Sequence, residues 1–170
     1  SDPFYDPHPV DGRVGADAML RVTSNLTLNA TINPDFGQVE VDPAVVNLGT
    51  FETFFPEKRP FFVEGAGYFG IGGFSCYFCS NVSSLSMLNT RRIGREPQMP
   101  AVRDSVAFAD EPDNTRIIGA LKLTGRTPHG VSIGVLNSLT AREEAPVAFG
   151  SGTGPQGERV VEPMSNYFAG

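Results

Sequence analysis

Tryptophan is absent from the 170 residues, cysteine occurs only twice, and no apolar run is long enough to carry a helix across a bilayer. Each absence removes a class of protein. The longest uncharged stretch, Gly65 to Thr90, is broken by glycines and serines, whereas a membrane helix needs about 20 consecutive apolar residues. Helical insertion is therefore excluded for this chain. Its opening, Ser1-Asp2-Pro3, shows neither an initiator Met nor a signal-peptide pattern, and Tyr167-Phe168-Ala169-Gly170 reads as mid-strand, so a piece of a longer protein is expected. Lys and Arg number 13 against 19 Asp and Glu, a net charge of -6 with no basic stripe, which excludes nucleic acid as a partner.

The recurrent chemical motifs are missing as well. Cys76 and Cys79 form a Cys-x-x-Cys pair, but zinc needs a second ligand pair and neither His8 nor His129 is suitably spaced. A local disulfide or two reduced thiols remain, neither with assigned chemistry. Asp2, Asp6, His8 and Asp11 lie among prolines in a segment, 1–13, that reads as an acidic linker. Asp35, Glu40 and Asp42 lack the dense acidic pattern of a calcium loop. No metal or cofactor is expected. There is no Gly-x-Ser-x-Gly elbow and no phosphate-binding loop, and the carboxylates Glu40/Asp42 or Glu52/Glu57 have no defined separation across a sugar bond. The expectation is a protein that is not an enzyme.

What the chain does contain is turn-forming and aromatic residues: 19 Gly, 14 Pro and 13 Phe, a composition of short strands and turns. All-β is the class it predicts. Alternation sets in at Val14, with Val14, Ala16, Ala18, Leu20 and Val22 on one face, and resumes after a Thr23-Ser24-Asn25 turn with Leu26, Leu28, Ala30 and Ile32 opposite Thr27, Asn29 and Thr31. Two such strands make an antiparallel hairpin. Gln38 to Asp42 alternates too, Ala44 to Phe55 fits either a helical turn or a strand, and Leu88 to Arg95 is strand-like, carrying Arg91, Arg92 and Arg95. Glu96 to Asn114 reads as a loop. The clearest hairpin runs from Arg116 to Arg126 and from Val131 to Ala141 about the turn Thr127-Pro128-His129-Gly130. A loop over Arg142 to Arg159 and a last strand over Val160 to Phe168 complete the reading.

Phe51 to Gly65, FETFFPEKRPFFVEG, stands apart from all this, because it sets Phe pairs around a charged core bracketed by prolines. Pro56 and Pro60 lack backbone donors and restrict the residues before them, so Glu57-Lys58-Arg59 must be a rigid, non-helical link. The segment is read as a fixed corner; the alternative is a surface loop whose Phe side chains fold under into the core.

Strands of about 9–11 residues with one apolar face, joined by short turns and long polar loops in alternation, fit a transmembrane β-barrel. A soluble β-sandwich alternates similarly, so the pattern leaves both open. In a barrel Lys122 must face the lumen or a rim, and the register carries Ile118, Ala120 and Thr124 with it. Ile118 suits a lumen only if the lumen is plugged. The corner could supply that plug, with Glu52, Glu57 and Glu64 pairing with Arg91, Arg92 and Arg95, and with Lys58 and Arg59 in the same charge network.

The runs TSNLTLNATINPDFGQVEVDPAVVNL, FETFFPEKRPFFVEG, TRRIGREPQ and IIGALKLTGRTPHGVSIGVLNSLTAREEA, in this order, resemble the DUF5916 family. In that bacterial family a β-sandwich of the family 9 carbohydrate-binding type precedes a large region taken to be an outer-membrane β-barrel. The first strand, Ala16 to Val22, departs from the family's Asp-x-Lys-Tyr-Gly-Leu-like pattern. The resemblance, covering about Val14 to Gly170, implies that 14–170 is a partial, unclosed barrel region of antiparallel hairpins with the corner inserted. It further implies the outer membrane of a Gram-negative bacterium as location, and the lipid bilayer and the rest of the barrel chain as partners. The implied role is non-enzymatic uptake or export linked to carbohydrate, although the sugar label attaches to a domain outside this alignment. The alternative is a soluble extracytoplasmic β-rich module, carbohydrate-binding or accessory to glycoside processing.

Overall fold

A computed structural model of the chain describes residues 4, 14–34, 56–69, 89–99, 106–149 and 157–170. Gln38 to Asp42, Ala44 to Phe55, Glu52, Cys76 and Cys79 lie outside them. The described residues form eight strands, β1 (Ala16–Thr23), β2 (Leu26–Ile32), β3 (Val106–Ala109), β4 (Ile117–Arg126), β5 (Ser132–Thr140), β6 (Glu143–Phe149), β7 (Gly157–Glu162) and β8 (Ser165–Ala169), with a single helical turn α1 (Pro60–Val63). The all-β expectation holds. A five-stranded antiparallel sheet runs in the order β1-β2-β4-β5-β8 and a three-stranded one in the order β3-β6-β7. Neither sheet closes among the described residues.

The first hairpin forms in the register that alternation dictates, Leu20 opposite Leu28 and Met19 opposite Asn29. The second pairs Lys122 with Leu136 and Leu123 with Val135, and its turn is closed by Gly130 N–H donating to Thr127 O (2.9 Å). β2 pairs with β4 so that Leu26 meets Gly125, and Arg126 N–H donates to Asn25 O (2.9 Å). Both tight turns therefore lie at one end of the sheet. The long connections, from β2 to β4 and from β5 to β8, leave from the other end.

Several segments depart from the sequence reading. The 3-10 turn Thr90–Arg92 replaces the strand expected over Leu88 to Arg95, because Thr90 and Ile93 give their carbonyls to a guanidinium instead of a ladder. β3 lies within the stretch read as a loop from Glu96 to Asn114. β6 and the start of β7 occupy the stretch read as a loop from Arg142 to Arg159, paired through Ala145 with Arg159 and Val147 with Gly157. The last strand is two, β7 and β8, split at Pro163-Met164. Pro163 supplies no ladder donor there. Across that break β5 and β6 run on with only Ala141-Arg142 between them, so one long hairpin leaves the large sheet and enters the small one.

A bulge between Ile117 and Gly119 resets β4, another correction. Ile117 is buried on the Lys122 face and Ile118 is 40% exposed, so Ile118 does not share a face with Ala120, Lys122 and Thr124.

Candidate functional site

The two faces of the large sheet differ in chemistry. Register places Leu20, Leu28, Ala30, Ile32, Leu121, Leu123, Val135, Leu139 and Phe168 on one side. Leu20, Ile32, Leu121 and Phe168 are 61%, 66%, 53% and 72% exposed. Asn137 and Asn166 share this side and satisfy each other, Nδ2 to Oδ1 at 2.9 Å. The opposite side carries Asn29, Thr31, Lys122, Thr124, Ser138 and Thr140, all buried. Over β2, β4 and β5 the polar side is covered and the apolar side partly bare, which inverts the arrangement of a half-solvated sheet in water, while β1 is exposed on both faces.

The corner covers the polar face. Pro56 to Arg59 is non-helical, with Arg59 extended (φ -73, ψ 121) before Pro60, and Pro60 then opens α1 at the position where its missing N–H is harmless. Lys122, only 1% exposed, donates from Nζ to the carbonyls of Phe61 and Glu64 and stands 4.8 Å from the Phe61 ring centroid. Asn29 Nδ2 donates to Glu64 Oε2 at 3.3 Å. Gly65 has φ +70, and a Cβ there would meet the Thr124 side chain at 3.0 Å. Gly134 lets Tyr68 approach β5 so closely that a Cβ would lie 2.9 Å from its carbonyl oxygen. Phe62, Ile93, Ile117 and Leu136 bury each other beneath, with Phe61, Phe69 and Tyr167 at their margin.

One guanidinium organises the corner. Arg59 forms a two-pronged pair with Glu57, Nε to Oε1 at 2.8 Å and Nη2 to Oε2 at 2.7 Å. It also donates to the carbonyls of Ile93 and Thr90, both at 2.6 Å, and lies 4.3 Å from the Phe62 ring centroid. Thr90 Oγ1 donates to Glu57 Oε2 at 2.6 Å. Burial alone would push the Glu57 carboxyl up, but the hydrogen bonds from Arg59 and Thr90 and the Arg59 charge hold it below its ordinary value.

The corner and the segment 89–99 come together at Glu57, Arg59 and Thr90, while Glu52, expected in the same charge network, lies outside the described residues. Glu57 joins Arg59 of its own segment and the hydroxyl of Thr90, and Glu64 accepts from Asn29 at its carboxylate and from Lys122 at its backbone carbonyl. Arg91 and Arg92 lie in the 3-10 turn, and Arg95 holds Thr115 through its carbonyl oxygen, at 2.8 Å from both Thr115 N and Oγ1. Lys58 donates its N–H to Glu57 Oε1 at 3.1 Å. Thr90 and Asn29 carry no sequence signal, being one threonine and one asparagine among many. Gly134, a glycine inside a strand, is the available sign of close approach.

The segment 89–99 continues to the small sheet, where Met99 N–H donates to Val161 O (3.0 Å) and Gln98 N–H to Glu162 Oε2 (2.9 Å). That sheet buries its own apolar set, Val106, Ala145, Val147 and Val161. No cluster of potential metal ligands occurs among the described residues, and no described helix is long and apolar enough to cross a membrane, which says nothing of strands.

The profile of the family described as domain of unknown function DUF5916 matches residues 5–169. The chain belongs to the DUF5916 family. Neither the curated proteins nor the solved structures match this DUF5916 chain. The match spans both sheets and the corner, so the whole described arrangement lies within the DUF5916 domain.

Proposed function

We propose that the five-stranded sheet is a section of a β-barrel wall in the outer membrane of a Gram-negative bacterium, with residues 14–170 as its unclosed part and 1–13 as a linker. The observation that carries this reading is the inverted sheet: Leu121 is 53% exposed while its neighbour Lys122 is 1% exposed. In water the bare face would be an aggregation surface; in lipid it is the solvated one. Tight turns at one end and long connections at the other agree with strands threaded across a bilayer. So do the edges at β1 and β8, unpaired among the described residues, which the rest of the barrel chain would pair.

The role we assign is non-enzymatic, the uptake or export of solutes. Carbohydrate is the solute class that the family resemblance brings to it. The full-length protein expressed in a Gram-negative host should fractionate with the outer membrane, need detergent for extraction, and migrate differently on a denaturing gel before and after boiling. Recovery as a monomer without detergent overturns the reading in favour of a soluble β-rich extracytoplasmic module.

A further inference from the structure

Resting on the barrel reading, we infer that the corner over Pro56–Phe69 is a lumenal plug latched by Lys122, and that its release uncovers a path for small hydrophilic solutes along the inner face of β2, β4 and β5. The latch is one cation held by two backbone oxygens. Lys122 Nζ reaches the carbonyls of Phe61 and Glu64, which flank the end of the single turn α1. From there the corner runs along the wall: Gly65 abuts Thr124, two residues nearer the tight turns, and Tyr68 then crosses to Gly134 on β5. Asn29 to Glu64 is a second, weaker tie from β2.

The covered face keeps hydrogen-bonding capacity beyond what the cover supplies to Lys122 and Asn29. Asn29 Oδ1, Thr31 Oγ1 and Ser138 Oγ are buried with no partner among the described residues. Thr31 and Ser138 flank Ala120 in one cross-strand row, and Asn29 lies beside Lys122 in the next. A wall meant to stay under a permanent cover would carry apolar groups or paired ones at these positions, because unpaired buried polar atoms weaken the covered state. Hydroxyl and amide groups in rows, with Ala120 leaving room between them, are instead the lining of a pore for neutral or weakly charged hydrophilic solutes.

The test is conductance of the full-length protein in planar phospholipid bilayers, in a background with Cys76→Ser and Cys79→Ser. Lys122→Met keeps length and removes the latch; a several-fold gain in conductance or open time is expected. Gly65→Cys with Thr124→Cys, whose Cβ atoms would stand 3.3 Å apart, should cross-link corner to wall, abolish conductance when oxidised, and restore it on reduction. Conductance that is the same for Lys122→Met as for the parent, and the same for the oxidised and reduced cysteine pair, overturns the plug while leaving the barrel standing. If Lys122→Met fails to assemble, the cysteine pair decides alone, its oxidised and reduced conductance being either different or equal. Absence of a heat-dependent gel shift in the parent protein is the separate sign that the barrel reading has failed, and the plug falls with it.

Discussion

The two sheets of this chain bury faces of opposite chemistry. In the small sheet Val106, Ala145, Val147 and Val161 turn toward one another, as a protein in water requires. In the large sheet Thr31, Lys122, Ser138 and Thr140 are covered while Leu20, Ile32, Leu121 and Phe168 are bare. The same covalent strands pass from one regime to the other, β5 into β6 and β7 into β8, over breaks of two residues. Alternation therefore marks a two-faced strand, and only the neighbours decide which face is the inside. Segment 89–99 joins the corner to β7, so a single strap touches both sheets.

Arg59→Ala should damage that division most, because it removes the guanidinium from the part-buried Glu57 carboxylate and from the Thr90 and Ile93 carbonyls. A loss of about 3–5 kcal/mol is expected in denaturant titration of the refolded protein. Amide exchange of residues 62–64 should rise while that of β6 and β7 stays as it was. Leu121→Arg comes next, at about 2–4 kcal/mol if the face meets lipid near the midplane. Its measure is the fraction of heat-shifted protein in assembly assays; undiminished assembly would make the large sheet an ordinary one.

Hydroxyls sharpen the contrast with opposite signs. Val147→Thr puts one into the private core of the small sheet and should destabilise by about 1–3 kcal/mol. Ser138→Ala removes a buried hydroxyl that has no partner among the described residues and should be neutral or stabilising by about 1 kcal/mol in the same titration. The smallest effect is that of acid. The Glu57 pKa is depressed on folding, so its contribution is complete above the ordinary carboxylate value of 4.5 and fades as pH falls through the lower folded value. Corner amides should thus begin to exchange faster only below that ordinary value, and Glu57→Gln should remove this acid step.

Much of the large sheet is legible in the residues alone. Leu26 to Ile32 and Ile133 to Leu139 announce their faces by alternation, and Thr127-Pro128-His129-Gly130 announces its turn. The rigid, non-helical link at Glu57-Lys58-Arg59 follows from Pro56 and Pro60 alone. The small sheet is illegible because Pro146 and the acids Glu143 and Glu144 read as loop chemistry, and only pairing with β7 and β3 overrides them. The β4 bulge is equally hidden, since Ile117 and Ile118 are the same residue type and only the cross-strand register chooses between them. Within the site, the sequence offers the acids and the Arg cluster but cannot say that Glu57 chooses Arg59 and Thr90.

By itself the sequence determined that this is an all-β chain of two-faced strands without a membrane helix, because side-chain period and proline geometry are local properties. Tertiary structure alone decided which face is covered, and that a lysine in mid-strand serves to hold the corner against the sheet. Burial is a relation between segments far apart in the chain, and Lys122 acquires its partners only when Phe61 and Glu64 are brought to it.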